Sequence, residues 1–192
     1  MRTATEPWRD NWLRKRLGME HYHPLVRQME LGIWNFCQGF AQNPSRGRRF
    51  VIYGQNGNGK TRASKAVRRW VEDRAIDMPL SVHDDNVALP TCIFCNWPRR
   101  VDRMKAGDWD LEDAIETDLL ILDDIGAEHD PSRVAVQKLY IILEERERKW
   151  TLLTTNFAPD QWENRFERRI ADRLLRNCEH LDLSELPSYS AQ

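Results

Sequence analysis

The sequence is short of several residue patterns, and each shortage narrows what the chain can be. Four cysteines (Cys37, Cys92, Cys95 and Cys178) are scattered through 192 residues, too few and too dispersed for a disulfide framework. A reduced, cytoplasmic protein is therefore expected. Neither charge sign dominates: 29 Lys and Arg against 30 Asp and Glu leave a formal net charge of -1. Overall charge thus points neither toward nor away from nucleic acid, and any such surface has to be a local patch. No apolar run approaches the length needed to cross a bilayer, and the N-terminus has no signal-peptide pattern, so no membrane role is expected. Internal repeats and low-complexity tracts are absent too. Glycine is sparse, nine in all, yet three fall within the stretch GQNGNGKT at residues 54–61.

From Phe50 onward, short apolar runs alternate with longer helical patterns. Strands are expected at 50–54, 91–97, 118–126, 150–157 and 180–185. Helices are expected at 61–76, from Pro98 through Val101 and Met104, at 130–149 and at 161–177. Asp130 as a cap with Pro131 in the first turn marks the start of the third. Trp162, Phe166, Ile170 and Leu174, each four apart, mark one face of the fourth. Five strands interleaved with helices predict an α/β fold with a parallel five-stranded sheet covered on both faces, a three-layer αβα arrangement. Residues 1–48 read as an N-terminal helical arm, with a Trp- and Arg-rich stretch around Trp8 and Trp12 and a helix from Pro24 to about Phe40. Residues 49–192 read as the core.

The quoted stretch matches G-x-x-x-x-G-K-[ST] at Gly54, Gly59, Lys60 and Thr61. The intervening Gln55, Asn56, Gly57 and Asn58 belong to the same turn. Glycines let a backbone curl with its amide N–H groups inward, a cage for phosphate, and the following helix adds its own N-terminal amides and dipole. Lys60 reaches the outer phosphates and the Thr61 hydroxyl serves Mg²⁺. Strand and helix flank the loop in the required order. A metal-holding acid is then needed, and LLILDD supplies two at the end of an apolar run: Asp123 for the metal, Asp124 to orient and deprotonate a water. Thr154-Thr155-Asn156 ends another strand, and the Asn156 amide is suited to positioning that water. Alone, either the aspartate pair or the asparagine is ordinary turn chemistry; together with the loop they form a site.

These pieces, in this order, resemble the AAA+ branch of the P-loop ATPases. LLILDDIGAE, TLLTTNF and RRIADRLLR are more narrowly similar to the helicase-loader group, which holds DnaC/DnaI-type loaders and IstB-type transposition ATPases. The resemblance spans roughly residues 24–183. It implies ATP and Mg²⁺ as cofactors, assembly into a nucleotide-dependent homo-oligomer, and an arginine completing the neighbouring subunit's site. The matching positions are Arg169 and Arg173, four apart on one helix face. The implied function is an ATP-dependent helicase loader that positions a DnaB-like helicase on single-stranded DNA in DNA replication. The alternative within the fold is an IstB/TnsC-like regulator that delivers a transposase. A small-molecule kinase is the third reading, disfavoured because no arginine-rich lid lies between the phosphate loop and the metal strand. GTP is disfavoured by the lack of an N-K-x-D motif. Two departures stand out: Asp124 occupies a position where many AAA+ proteins have glutamate, and the tail Pro187-Ser188-Tyr189-Ser190 lacks the arginine that loader-like chains carry there. No room is left for a C-terminal helical lid.

Some signals carry less. Cys92 and Cys95 form a CxxC, but residues three apart on a strand face opposite sides, and no second Cys/His pair lies at zinc spacing. Trp97, Arg99, Arg100 and Arg103 follow the second strand and offer a base-stacking ring with basic groups for single-stranded DNA; an exposed helix with Trp97 packed inside fits equally. The N-terminal arm suits a docking segment for a partner or packing against its own domain.

Overall fold

Each strand of the sheet carries apolar side chains on both faces, and the alternation decides which helices each face collects. In β1 (Arg49–Tyr53), Phe50 and Ile52 enter one layer and Val51 the other; in β3 (Leu119–Ile125), Leu119 and Ile121 oppose Leu120 and Leu122. With β2 (Cys92–Asn96), β4 (Trp150–Thr155) and β5 (Cys178–Asp182) they form a parallel sheet in the order β2-β3-β4-β1-β5. The structure, a computed structural model, describes residues 24–77, 90–107, 111–186 and 188, with side chains from residue 27 to 73 in the first span.

One face is covered by α1 (Pro24–Gln42) and α2 (Lys60–Asp77). Met29, Ile33, Phe36 and Phe40 recur at helical spacing and meet Ala63, Val67 and Trp70 over Phe50 and Leu152. Phe36 stacks on Phe50 at 5.5 Å between centroids and meets Trp150 edge-on at 5.1 Å. Such aromatic pairs add about 0.5–1.5 kcal/mol each beyond the area they bury. The helix Pro24–Gln42 therefore shares the core of the sheet. Trp8 and Trp12 lie outside the described residues.

The other face carries α3 (Trp97–Lys105), α4 (Glu112–Glu116), α5 (Val134–Glu145), α6 (Trp162–Phe166) and α7 (Arg168–Leu175). Two helices differ from expectation. α5 starts at Val134 rather than near Pro131, because Arg133 takes a left-handed φ of 58°. Asp130 still caps it by accepting from the Ala135 amide at 2.6 Å. The helix expected over 161–177 is broken at Glu167, whose φ of 80° and ψ of 152° no helix accommodates. Trp162, Phe166, Ile170 and Leu174 nevertheless all reach the same core, which is what their spacing registered.

α5 ends at Glu145 because the next side chain turns inward. Arg146 is fully buried. It donates to the carbonyls of Ala114, Ile115, Thr117, Asp118 and Trp150 and to the Thr151 hydroxyl. Burial lowers its pKa to about 10. Cys92 and Cys95 pack on opposite faces of the sheet, as strand geometry requires. Among the described residues no helix follows β5, and none is long and apolar enough to cross a membrane.

Candidate functional site

The sheet order puts β1 beside β4 and β4 beside β3, so the carboxyl ends of these strands gather the loop at 54–61, Asp123, Asp124 and Asn156. Ligands of open parallel sheets bind along this edge. A cavity of about 420 Å³ opens there, lined by Asn56, Gly57, Gly59, Lys60, Thr61, Arg62, Asp124 and Asn156. Gly54 needs to be glycine: its φ is +143°, and a Cβ would come within 2.6 Å of the Asn58 amide nitrogen and 2.8 Å of the Leu183 carbonyl carbon. Two members of the loop serve it from beneath. Asn58 is fully buried and donates to the Leu183 carbonyl at 2.7 Å, so it anchors the loop rather than facing the cavity. Gln55 is exposed, and its backbone carbonyl holds the lysine.

Lys60 Nζ donates to the carbonyls of Gly54 and Gln55 at 2.7 Å each and to Asn58 Oδ1 at 3.2 Å. The ammonium thus fills its own cage. Burial brings its pKa down to about 8, against the opposing pull of Asp124 and Asp123.

Asp123 is almost fully buried and accepts from three hydroxyls: Thr61 at 3.0 Å, Ser64 at 3.0 Å and Thr154 at 2.9 Å. Asp124 sits at a break in the β3–β4 ladder, which pairs Leu122 with Leu153 and resumes at Ile125 with Thr155. The extra residue on β3 is a bulge, a device that re-aims side chains. Asp124 takes a left-handed φ of 67° and turns its carboxylate into the cavity, where Asn156 Nδ2 donates to it at 2.9 Å. Burial, and then the neighbouring Asp123 charge, raise its pKa. A carboxylate so shifted is a stronger base than an ordinary one.

The loop after β3 is locked by residues that sequence reasoning did not single out. Glu128 accepts from the Gly126 amide at 2.8 Å, and Arg165 donates to the carbonyls of Gly126 and Glu128. Ser64 was legible in principle: it lies one helical turn after Thr61, on the same side. Thr154 was legible too: it lies near the end of β4, two residues before Asn156.

Arg169 and Arg173 lie on α7, outside the cavity lining. Both stack on Tyr140, with guanidinium carbons 4.4 Å from the ring centre. Arg169 pairs with Glu167 at 2.9 Å, while Arg173 is held by Glu144 and donates to the Tyr140 hydroxyl at 3.1 Å. Arg169 is the more exposed, 46% against 26% for the side chains, which leaves it freer to reach outward. On α3, Arg99 and Arg103 are exposed and Arg100 is half-buried. Trp97 is fully buried in the core, so it offers no ring face to a base. An aromatic adjoining the arginines had suggested stacking, but the residue that opens α3 is the one its amphipathic turn directs inward.

Asp123 and the hydroxyls around it are hard oxygen donors. Among the described residues no group of three or more His, Cys, Asp and Glu side chains is placed to hold a metal alone. A cation here would share its coordination with the ligand.

The phosphate-type loop after β1, the acids ending β3 and the amide ending β4, on a sheet ordered β2-β3-β4-β1-β5, define the AAA+ P-loop fold. Solved structures with this fold include several replication proteins. The DnaC helicase loader is 18% identical, with a TM-score of 0.66 over 90% of this chain and 98% of its own. DnaI is 20% identical, with a TM-score of 0.66 over 93% of this chain and 92% of its own. The replication initiator DnaA, bound to AMPPCP and single-stranded DNA, is 17% identical with a TM-score of 0.63, and this chain spans 50% of that structure. No family model and no curated protein matches the sequence.

Proposed function

We propose that the chain is an ATP-dependent helicase loader of the DnaC/DnaI kind, using ATP turnover to position a DnaB-like helicase on single-stranded DNA. The observation that carries the reading is the convergence of Lys60, Thr61, Asp124 and Asn156 on one cavity at the carboxyl edge of the sheet. Likeness to nearly the whole of the DnaC and DnaI structures, against half of DnaA, supports the loader assignment within the fold.

In this reading the loop amides and Lys60 bind the β- and γ-phosphates of ATP. Thr61 Oγ1 and Asp123, which bond each other at 3.0 Å, hold Mg²⁺, a cation that takes one or two protein oxygens beside phosphate and water. Mg²⁺ supplies charge neutralisation at the phosphates. Asp124 accepts the proton of the attacking water while Asn156 orients it. Arg169 or Arg173 of a neighbouring copy completes the site, so turnover depends on assembly.

Sizing in solution tests the reading. The protein is expected to assemble with Mg·ATP and to retain a DnaB-type helicase with single-stranded DNA, and Lys60→Ala is expected to abolish both. Assembly that ignores this substitution would sink the mechanism. Lys60 also gives binding a proton signature. With a free pKa near 8, it is about half protonated at pH 8 and becomes fully charged against phosphate. Binding at pH 8 should therefore take up protons, and affinity should weaken as pH rises above 8. Calorimetry in two buffers of different ionisation heat reads this uptake; equal heats would refute it.

A further inference from the structure

Asp123 and Asp124 are neighbours in sequence with separate tasks, and one hydroxyl touches both. The β3–β4 ladder takes three steps on β3 between Leu122 and Ile125 where β4 takes two, from Leu153 to Thr155. The Asp124 amide falls within that interruption and donates to Thr154 Oγ1 at 2.8 Å. The same hydroxyl donates its proton to Asp123 Oδ1 at 2.9 Å. One O–H with two lone pairs satisfies both contacts at once. Thr154 is 1% exposed, so bulk water cannot take over either bond.

The backbone gives this bridge a task beyond packing. A φ of 67° at Asp124 is sparsely populated for any residue with a Cβ, and it persists where the surroundings hold it. The Thr154 hydroxyl holds the amide of that very residue, and this conformation aims the Asp124 carboxylate at the cavity and at Asn156. Ser64 and Thr61 also bond Asp123, but they reach it from α2 and touch only that acid.

We propose that Thr154 is a positioning residue for ATP hydrolysis: its side-chain hydroxyl stands in for a ladder bond lost at the bulge, fixes the left-handed turn at Asp124, and ties the base to the metal-holding Asp123. The inference rests on the nucleotide-hydrolysing reading above.

The test compares Thr154→Val, which keeps the shape and removes both hydrogen bonds, with Thr154→Ser, which keeps the hydroxyl. Each is measured for steady-state hydrolysis, for binding of a fluorescent non-hydrolysable ATP analogue, and for thermal stability. Thr154→Val should lose roughly 100-fold in kcat, the size expected when a reacting group shifts by about an ångström. Its KM and analogue affinity should stay within about threefold of wild type, the signature of a group that acts in the transition state. Thr154→Ser should recover most of the rate. If the valine variant does not fold, Thr154→Ala against Thr154→Ser makes the same comparison. Where the wild type hydrolyses ATP, an unchanged kcat in Thr154→Val overturns this inference alone, as does a parallel loss of rate, affinity and melting temperature in that variant. A wild type that binds the analogue but never hydrolyses ATP overturns it too, leaving nucleotide binding intact. A wild type that binds no analogue overturns both readings.

Discussion

Replacing Arg146 with methionine is expected to cost the folded state roughly 3–5 kcal/mol, the upper end for single substitutions and the size reached when a buried hydrogen-bond network is broken. For a domain of this size that is a melting temperature lower by about 10 °C. The side chain is wholly buried and donates to five carbonyls and one hydroxyl, which join the α4–β3 connection to the start of β4. Methionine fills the space but takes the guanidinium from those carbonyls; Ile115 keeps the Lys149 ammonium at 2.9 Å, and each group left unsatisfied costs about 1–3 kcal/mol. Arg146→Lys keeps the charge, yet a single ammonium cannot span a fork of carbonyls, so it should recover only part of the loss. Thermal and urea unfolding of the three proteins measure this. A methionine variant as stable as wild type would show that the cluster contributes nothing net.

The second large effect is chemical. Asp124→Asn should lower ATP hydrolysis by about 10²–10⁴-fold, the usual contribution of a positioned general base, while leaving nucleotide affinity near wild type. Asparagine suits the experiment for a backbone reason. Asp124 has a φ of 67°, and asparagine is among the residues that tolerate this region best. The substitution therefore removes the base without adding strain, whereas alanine would confound the two. The variant should accumulate as a nucleotide-bound assembly, visible by sizing and by retained ATP. Hydrolysis at the wild-type rate would remove Asp124 from the mechanism.

Much of the site was legible because its chemistry depends on local sequence. A phosphate cage requires glycines and a lysine at set spacing, and acids at strand ends follow apolar runs that reveal themselves by composition. The sheet was legible for a similar reason: Leu119 through Leu122 are apolar in succession, as a strand buried on both faces must be. What escaped depends on contacts distant in sequence. At the break, Glu167 pairs with Arg133 at 2.6 Å and Arg169 at 2.9 Å, and the four-residue apolar spacing runs straight through it. Arg146 looks like any surface arginine until α4 and β4 surround it. Trp97 reads as a stacking ring or a core residue with equal ease, and only the packing of α3 against β3 decides. The hydroxyls on Asp123 come from α2 and β4, and serine and threonine carry no long-range signature in a single sequence.

The four native thiols leave one practical opening. Cys37 and Cys95 are buried, and desolvation lifts Cys92 and Cys178 to about 12, so at neutral pH almost none of the reactive thiolate exists. A cysteine placed at the exposed Ile141 or Leu175 would outpace all four toward maleimide dyes. Fluorophores could then be installed beside the Tyr140–Arg173 cluster without first stripping the natural sulfur, and energy transfer between labelled copies would test the proposed subunit association directly.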